Sequence, residues 1–285
     1  MGRSFLSPSG FGGRIFSNPS SGSSVDISEP VTTPQDASGG ESSASRSAPI
    51  PTAQATGMGF SPAISSFWLN QSAPGAVTEV PDPAGGPEKV IKMTVSDQDV
   101  APITPTENPR AQLLSPDTIE PGQEFWWSGR FFLPVEGFPA FIPQWLNIVE
   151  GAYGPPWNGT PPFEIEAVGS TLRWQRNGTY DWDIPWEMPL ERGRWITYLV
   201  HEKLAAEGFI ELWINGSQVD FFARSSHNPD RLGPTTRLNM KTLDGSNDGG
   251  PNFVVIQNYR KVGMFQSVTL YHGGMKLGST RASVE

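Results

Sequence analysis

Cysteine is absent from the 285 residues, which excludes a disulfide framework, a thiolate metal site and a thiol nucleophile. No run approaches the roughly 20 continuous apolar residues that a bilayer-spanning helix needs, so no membrane partner is expected. The first 22 residues lack the apolar core of a secretory signal, because Ser, Gly and Arg interrupt them throughout. Basic charge is scarce: 20 Lys and Arg stand against 29 Asp and Glu, a net charge of −9. That balance argues against nucleic acid as the main partner, since phosphate binding calls for a basic face. No stretch carries a helical apolar period of useful length, and no internal repeat is visible.

What is plentiful is turn-forming and aromatic material, with 31 Gly, 28 Pro and 11% aromatic residues. Such a mixture suits short strands joined by many turns. The organising stretch is Arg194 to Phe222. There Trp195, Thr197, Leu199, His201 and Lys203 alternate with Ile196, Tyr198, Val200 and Glu202, the period of a strand with two distinct faces. Phe209 to Ile214 alternates likewise, and Asn215-Gly216 supplies residues that tolerate the positive φ of a tight hairpin. Val219 to Phe222 is predicted to return as a third strand of this meander. Further strands are predicted over 67–69, 89–95, 110–114, 124–133, 141–149, 163–168, 171–176, 253–257, 263–270 and 275–277. The sum is an all-β domain, a two-sheet antiparallel sandwich or jelly roll, spanning residues 57–285.

Residues 1–56 are different material. Ser, Gly and Pro supply 29 of the first 60 residues, and the apolar residues show no period. A segment of this kind buries too little apolar area to offset its ordering entropy and is expected to be disordered alone. Its start nonetheless holds Phe5, Leu6, Phe11, Ile15 and Phe16. These read either as stray aromatics in a floppy tail or as a docking peptide that orders against a partner and carries a flexible tether; docking is the expectation adopted.

Three stretches together resemble a known family: RAQLLSP at 110–116, FFLP with IPQWLN over 131–147 followed by PPFEIEAVGSTLRW, and the meander followed by NYRKVGMFQSVTLYHGG at 258–274. In that order they are similar to the heparin-lyase-like and alginate-lyase-like polysaccharide lyases. The resemblance implies a concanavalin-type β-jelly roll, and it implies β-elimination on uronate-containing glycans. That chemistry needs a group to neutralise the sugar carboxylate, a base for the C5 proton and an acid for the leaving oxygen. By resemblance, Arg110 and Gln112 would meet a carboxylate or hydroxyl, Gln144 would stand for the Gln of a Gln-x-His pair, and Tyr259 and Lys261 would open a Tyr-x-Lys-x-Gly-x-Tyr motif. The His position then falls on Leu146, with Asn147 beside it, and the closing Tyr falls on Phe265. Neither Leu nor Phe carries a titratable proton, so the expectation leans away from an enzyme and towards a groove of Arg110, Gln112, Gln144, Asn147, Tyr259 and Lys261 that binds without cutting. Tyr259 is the residual catalytic candidate, with Arg260 and Lys261 as neighbours able to lower its pKa.

The histidines offer little substitution. His201 and His272 lie on strands and read as structural, and His227 lies in a polar loop. Tyr153, Trp157, Tyr180, Trp182 and Trp186 fall in turn-rich segments and form a candidate aromatic rim, because indole and phenol faces stack on sugar rings; the alternative is that these loops cover one end of the sandwich. Asp244, Ser246 and Asp248 open like a calcium loop, but position twelve is Val255, which excludes an EF-hand. No cofactor is expected, and a loop calcium at Asp244 and Asp248 is a lesser alternative. Asn158, Asn177 and Asn215 head glycosylation sequons that tight Asn-Gly turns explain as well.

A glycan-directed jelly roll with a docking arm and no export signal suggests display on a bacteriophage particle, as a capsid decoration or minor tail protein. Its partners would be a capsid or tail protein through the arm and a glycan on the jelly roll, with several copies adding avidity. The alternatives from other classes are an active polysaccharide lyase and a purely structural decoration protein.

Overall fold

The structure, a computed structural model, describes residues 58–59, 69–70, 72–99, 108–154, 161–177, 182–222, 234–243, 250–265 and 267–285. All of them fall in one compact unit, Pro51–Glu285. Phe5, Leu6, Phe11, Ile15 and Phe16 lie outside the described residues, as do Trp157, Tyr180, His227, Asp244 and Asp248.

In chain order the strands are β1 (Met58–Gly59), β2 (Leu69–Asn70), β3 (Val77–Pro81), β4 (Lys89–Ser96), β5 (Arg110–Leu114), β6 (Glu124–Phe132), β7 (Ile142–Tyr153) and β8 (Phe163–Gly169). They continue as β9 (Thr171–Asn177), β10 (Trp182–Pro189), β11 (Trp195–Lys203), β12 (Gly208–Ile214), β13 (Ser217–Gln218), β14 (Leu238–Met240), β15 (Phe253–Arg260) and β16 (Ser267–Gly278). One sheet runs β13-β12-β11-β6-β16-β4-β3, with β1 and β14 attached at its flanks. The other has seven strands in the order β10-β9-β8-β7-β15-β5-β2. Every described pairing is antiparallel. The architecture is therefore the two-sheet jelly roll that the alternating segments predict.

The inner faces of the sheets meet in one large apolar core. Ile91, Met93 and Val95, Phe125, Trp127 and Phe131, and Ile196, Tyr198 and Val200 line it from one side. Leu146, Val149, Phe163, Ile165, Leu172, Trp174, Val254 and Ile256 line it from the other. Burying this many large side chains is the main driving force for the fold, at about 1.5–3 kcal/mol for each aliphatic or aromatic group removed from water. Gly129 on β6 stands opposite Tyr198 on β11, and a Cβ there would collide with the phenol. The glycine is the space into which that ring packs.

Polar side chains also cross the core and tie the sheets together. Asn258 on β15 donates from Nδ2 to the carbonyls of Met93, at 3.3 Å, and Val268, at 3.0 Å. His272 on β16 places Nε2 3.0 Å from the Gln257 carbonyl. Burial lowers the His272 pKa to about 4, so the ring is neutral near pH 7 and suits this structural post. Arg260 is wholly buried; it pairs with Asp97 at 2.7 Å and donates to the Phe265 carbonyl at 3.0 Å.

Several expectations change in detail. The meander's third strand is the short β13, and Val219 to Phe222 leaves it; Phe221 makes an isolated bridge to Thr235. Of the segments 263–270 and 275–277, residues 267–270 and 275–277 merge into the single strand β16, while 263–265 belong to the turn before it. The sequence around Trp182 to Pro189, expected as a loop, is the edge strand β10. Its two prolines are tolerated because an edge strand has one unpaired side. Asn215 adopts φ 50° and Gly216 φ 80°, the left-handed geometry that the Asn-Gly turn signal anticipates.

One acidic side chain sits where the alternation puts hydrocarbon. Glu202 on β11 is fully buried on the core face. A Cβ on Gly151 of β7 would come within 3.0 Å of its Oε2, so the carboxyl lies directly behind β7. Burial pushes its pKa up to about 8, with the Trp127 side chain pulling the other way. The unfolded chain ionises this group near 4.5, so unfolding sheds a proton as the pH rises above that value. The stability contribution of the neutral acid is whole below pH 4.5 and is lost up to about pH 8, by at most roughly 1.4 kcal/mol per pH unit. Glu202→Gln keeps the shape without the proton. Thermal unfolding midpoints should fall less steeply between those pH values in the variant than in the natural chain, and equal slopes would refute this assignment.

Candidate functional site

The site is built on the outer face of the seven-stranded sheet, and alternation explains its composition. In β8 the order Phe163-Glu164-Ile165-Glu166-Ala167 sends Phe, Ile and Ala into the core and both glutamates outward. In β15, Val254 and Ile256 face the core while Phe253, Val255, Gln257 and Tyr259 face out. Strand β5 contributes Arg110, Gln112 and Leu114 to the outer face by the same rule.

Strand β7 departs from simple alternation. Its pairing slips between Ile142 and Leu146 and again between Asn147 and Val149. An inserted residue shifts the side-chain phase. As a result Leu146 and Val149 both pack in the core, while Asn147 stands opposite Glu166 and Glu150 opposite Glu164.

The register then aligns one polar row across six strands. Arg110 pairs with Tyr259, Tyr259 with Asn147, Asn147 with Glu166, Glu166 with Arg173, and Arg173 with Glu187. At its β5 end the Arg110 guanidinium lies 4.1 Å from the centre of the Tyr259 ring. Trp145 meets the same ring edge-on at 4.9 Å. Arg110 Nη1 donates to Gln112 Oε1 at 3.1 Å, and the Gln112 amide donates in turn to Gln257 Oε1.

The middle of the row is acidic. Asn147 Nδ2 donates to Glu150 Oε1 at 3.2 Å and to Glu164 Oε2 at 3.0 Å. Glu166 is held by Arg173 Nε at 2.7 Å. Burial holds the Glu164 carboxyl well above the usual carboxylate range, and the charges of Glu166 and Glu150 add to the effect. Glu150 and Glu166 are also raised by burial, against the pull of Gln257, Asn147 and Arg110 on the first and of Arg173 on the second. Three buried acids on adjacent strands thus all have their proton affinity raised, chiefly by burial. Among the described residues no group of three or more His, Cys, Asp or Glu is arranged to hold a metal ion.

Against the sequence expectations, Arg110, Gln112, Asn147 and Tyr259 come together on this face. Gln144 is exposed on β7 outside the hydrogen-bonded network, and Lys261 is half-buried in the turn after β15, its backbone N–H donating to the Trp145 carbonyl at 3.2 Å. Leu146 lies in the core, and Phe265 packs against it. Neither occupies the outer face, so their hydrocarbon character does not bear on proton transfer there. Arg260 points the opposite way from Tyr259, towards Asp97, and the cation beside the phenol is Arg110 instead.

In the expected aromatic rim, Trp186 stands opposite Trp174 and packs against the core, because β10 is a strand. Tyr153 and Trp182 lie within β7 and β10. His201 is on the outer face of the other sheet, stacked on Trp126 at 3.9 Å between Glu124 and Glu211. Sequence reasoning missed Glu150, Glu164, Glu166, Arg173 and Gln257. The acidic alternation of FEIEA was the available signal for two of them, whereas Glu150 depends on the slip in β7.

Among curated proteins no match is found. Of solved structures, the endo-β-1,4-glucuronan lyase of the fungus Trichoderma reesei is similar with a TM-score of 0.51 and 16% identity, over 76% of this chain and 93% of that one. The GH131 β-glucanase catalytic domain of Podospora anserina aligns with a TM-score of 0.50 and 15% identity, over 77% and 86%. The alginate lyase AlgAT5 of polysaccharide lyase family 7 aligns at 0.45 with 8% identity, over 71% and 82%. At these identities the first two likenesses speak for the fold alone. A family model described as polysaccharide lyase matches residues 57–281. That match takes in every strand described above, and the chain belongs to the polysaccharide lyase family.

Proposed function

We propose that the chain binds a uronate-containing polysaccharide across the outer face of its seven-stranded sheet and is displayed on a virion surface, as a capsid decoration or minor tail protein, through residues 1–56. The row from Arg110 to Arg173 carries the glycan reading. In a chain of net charge −9, a sugar carboxylate is attracted only where cation and amides are gathered locally, as Arg110, Gln112 and Gln257 are. Trp145 and Tyr259 beside them present apolar surface to a sugar ring. The display reading is supported by the composition of residues 1–56, apolar at the start and Ser-, Gly- and Pro-rich after it. Many tethered copies make a weak sugar site effective.

Cleavage by β-elimination is the second reading, favoured by the contact between Arg110 and Tyr259. Arg110 would neutralise the uronate carboxylate and so acidify the C5 hydrogen. The Tyr259 oxygen, as phenolate, would take that proton; the electron pair would form the C4–C5 double bond as the C4–O4 bond breaks. The departing oxygen would recover the proton from the same phenol.

Two experiments test these statements. Purified chain incubated with uronate polymers should retain them, and Arg110→Ala should weaken retention about tenfold, on the order of 1.4 kcal/mol. Ultraviolet absorbance of unsaturated uronate that disappears in Tyr259→Phe would establish the second reading, and failure to retain any uronate polymer would end both. Removing residues 1–56 should abolish co-sedimentation with particles yet leave cooperative thermal unfolding unchanged; a domain that no longer folds would end the tether reading.

A further inference from the structure

We propose that the chain carries a second binding site on the opposite side of the sandwich, a surface cavity over β6, β11 and β16 that takes a compact ligand joining one carboxylate to an apolar body. The cavity has a volume of about 300 Å³, at the small end of the range that ligand sites occupy.

The sequence makes this cavity by setting small residues among bulky ones. The register places Trp213, Leu199, Ser128 and Lys276 side by side across four strands. In the next row Thr197 stands opposite Arg130, and Arg130 opposite Gly273. Ser128 and Thr197 are short, and a Cβ on Gly273 would come within 3.1 Å of Arg130 Nε. The outer face therefore dips between the Trp213 indole and the Arg130 side chain.

The residues after β16 fold back over one side of the dip. Val284 is 2% exposed and packs on Leu199 and Trp213. Its carbonyl accepts from Ser128 Oγ at 2.6 Å, so that hydroxyl proton is already spent. Leu199, Trp213 and Val284 leave a hydrocarbon floor, with the Thr197 hydroxyl at its margin. A ring of sugar hydroxyls would lose water there and find few partners, whereas an apolar body loses nothing.

The rim is basic, and its cations are lightly held. Arg130 is matched by Asp82 at 3.3 Å and Glu88 at 3.1 Å, neither of which lines the cavity. Lys276 and Arg281 are engaged by Glu285: Lys276 Nζ donates to its backbone oxygen, and Arg281 Nε meets its carboxylate at 2.7 Å. The Arg281 guanidinium lies 4.9 Å from the centre of the Trp213 ring, which orients its plane beside the floor. A guanidinium binds a carboxylate best through two parallel N–H bonds, but Glu285 uses Nε alone. The Arg281 and Glu285 side chains are 46% and 53% exposed, and an exposed ion pair contributes little. A ligand carboxylate that takes the full fork of Arg281, with Lys276 beside it, displaces Glu285 into solvent at small cost.

The test is isothermal titration of the full chain, at low ionic strength, with phenylacetate, its uncharged isostere phenylacetamide, and glucuronate. Phenylacetate should bind about tenfold more tightly than either of the others. Glu285→Gln removes the resident carboxylate and should tighten phenylacetate about threefold. Lys276→Met should weaken it about tenfold and leave the retention of uronate polymers as it was. Equal binding of phenylacetamide would overturn the inference, as would glucuronate bound as tightly as phenylacetate. So would the absence of any phenylacetate binding at about 10 mM, or weaker binding in Glu285→Gln. None of these results bears on the glycan reading, which stands or falls on Arg110. The comparison of the three probes on the natural chain decides the matter even where a variant does not fold.

Discussion

The slip in β7 is the constraint on which the site depends. A strand in simple alternation would place Asn147 and Val149 on one face and Leu146, Ile148 and Glu150 on the other. The irregular pairing around Asn147 to Val149 lets Leu146, Ile148 and Val149 all reach the core, while Asn147 and Glu150 both reach the outer face. The apolar demand of the interior enforces this arrangement. Undoing the slip would bury Glu150 among hydrocarbon or expose Val149, each at a cost of a few kcal/mol. The core thereby fixes the position of the amide that bridges Glu150 and Glu164.

The two faces of the seven-stranded sheet thus have separate duties. The inner face carries stability through Phe163, Ile165, Trp174, Val254 and Ile256. Asn258 and Arg260 face inward too, but as ties: they satisfy carbonyls of the opposing layer and of the following turn. The outer face is relieved of packing duty along its polar row. It can hold side chains that would be costly elsewhere, three buried acids among them.

Much of the fold was legible in the chain itself. Strands β5 and β11 fall on the predicted residues, and β6, β8, β9 and β12 within one or two, because period-two alternation is a direct record of which face is buried. Strand β10 was not legible, since Pro185 and Pro189 read as turn signals and only pairing with β9 reveals an edge. The site was half legible. Arg110, Gln112 and Tyr259 keep the phase of regular strands, so similarity could place them. Leu146 could not be placed that way, because a slip of one residue is invisible in composition and reverses inside and outside. The family match and the geometry agree on the scaffold; the reading of Leu146 and Phe265 as failed catalytic positions does not survive their location in and against the core.

Trp145 gives this face an optical property of its own. Trp127 and Trp174 are sealed in the interior, and Trp126, Trp195 and Trp213 belong to the other sheet. Among the described residues, Trp145 is the indole that touches the row, half-buried against the phenol of Tyr259. Anything that seats itself there changes the surroundings of this emitter while those of Trp126, Trp127, Trp174, Trp195 and Trp213 stay as they were, so occupancy is written into intrinsic fluorescence without a label.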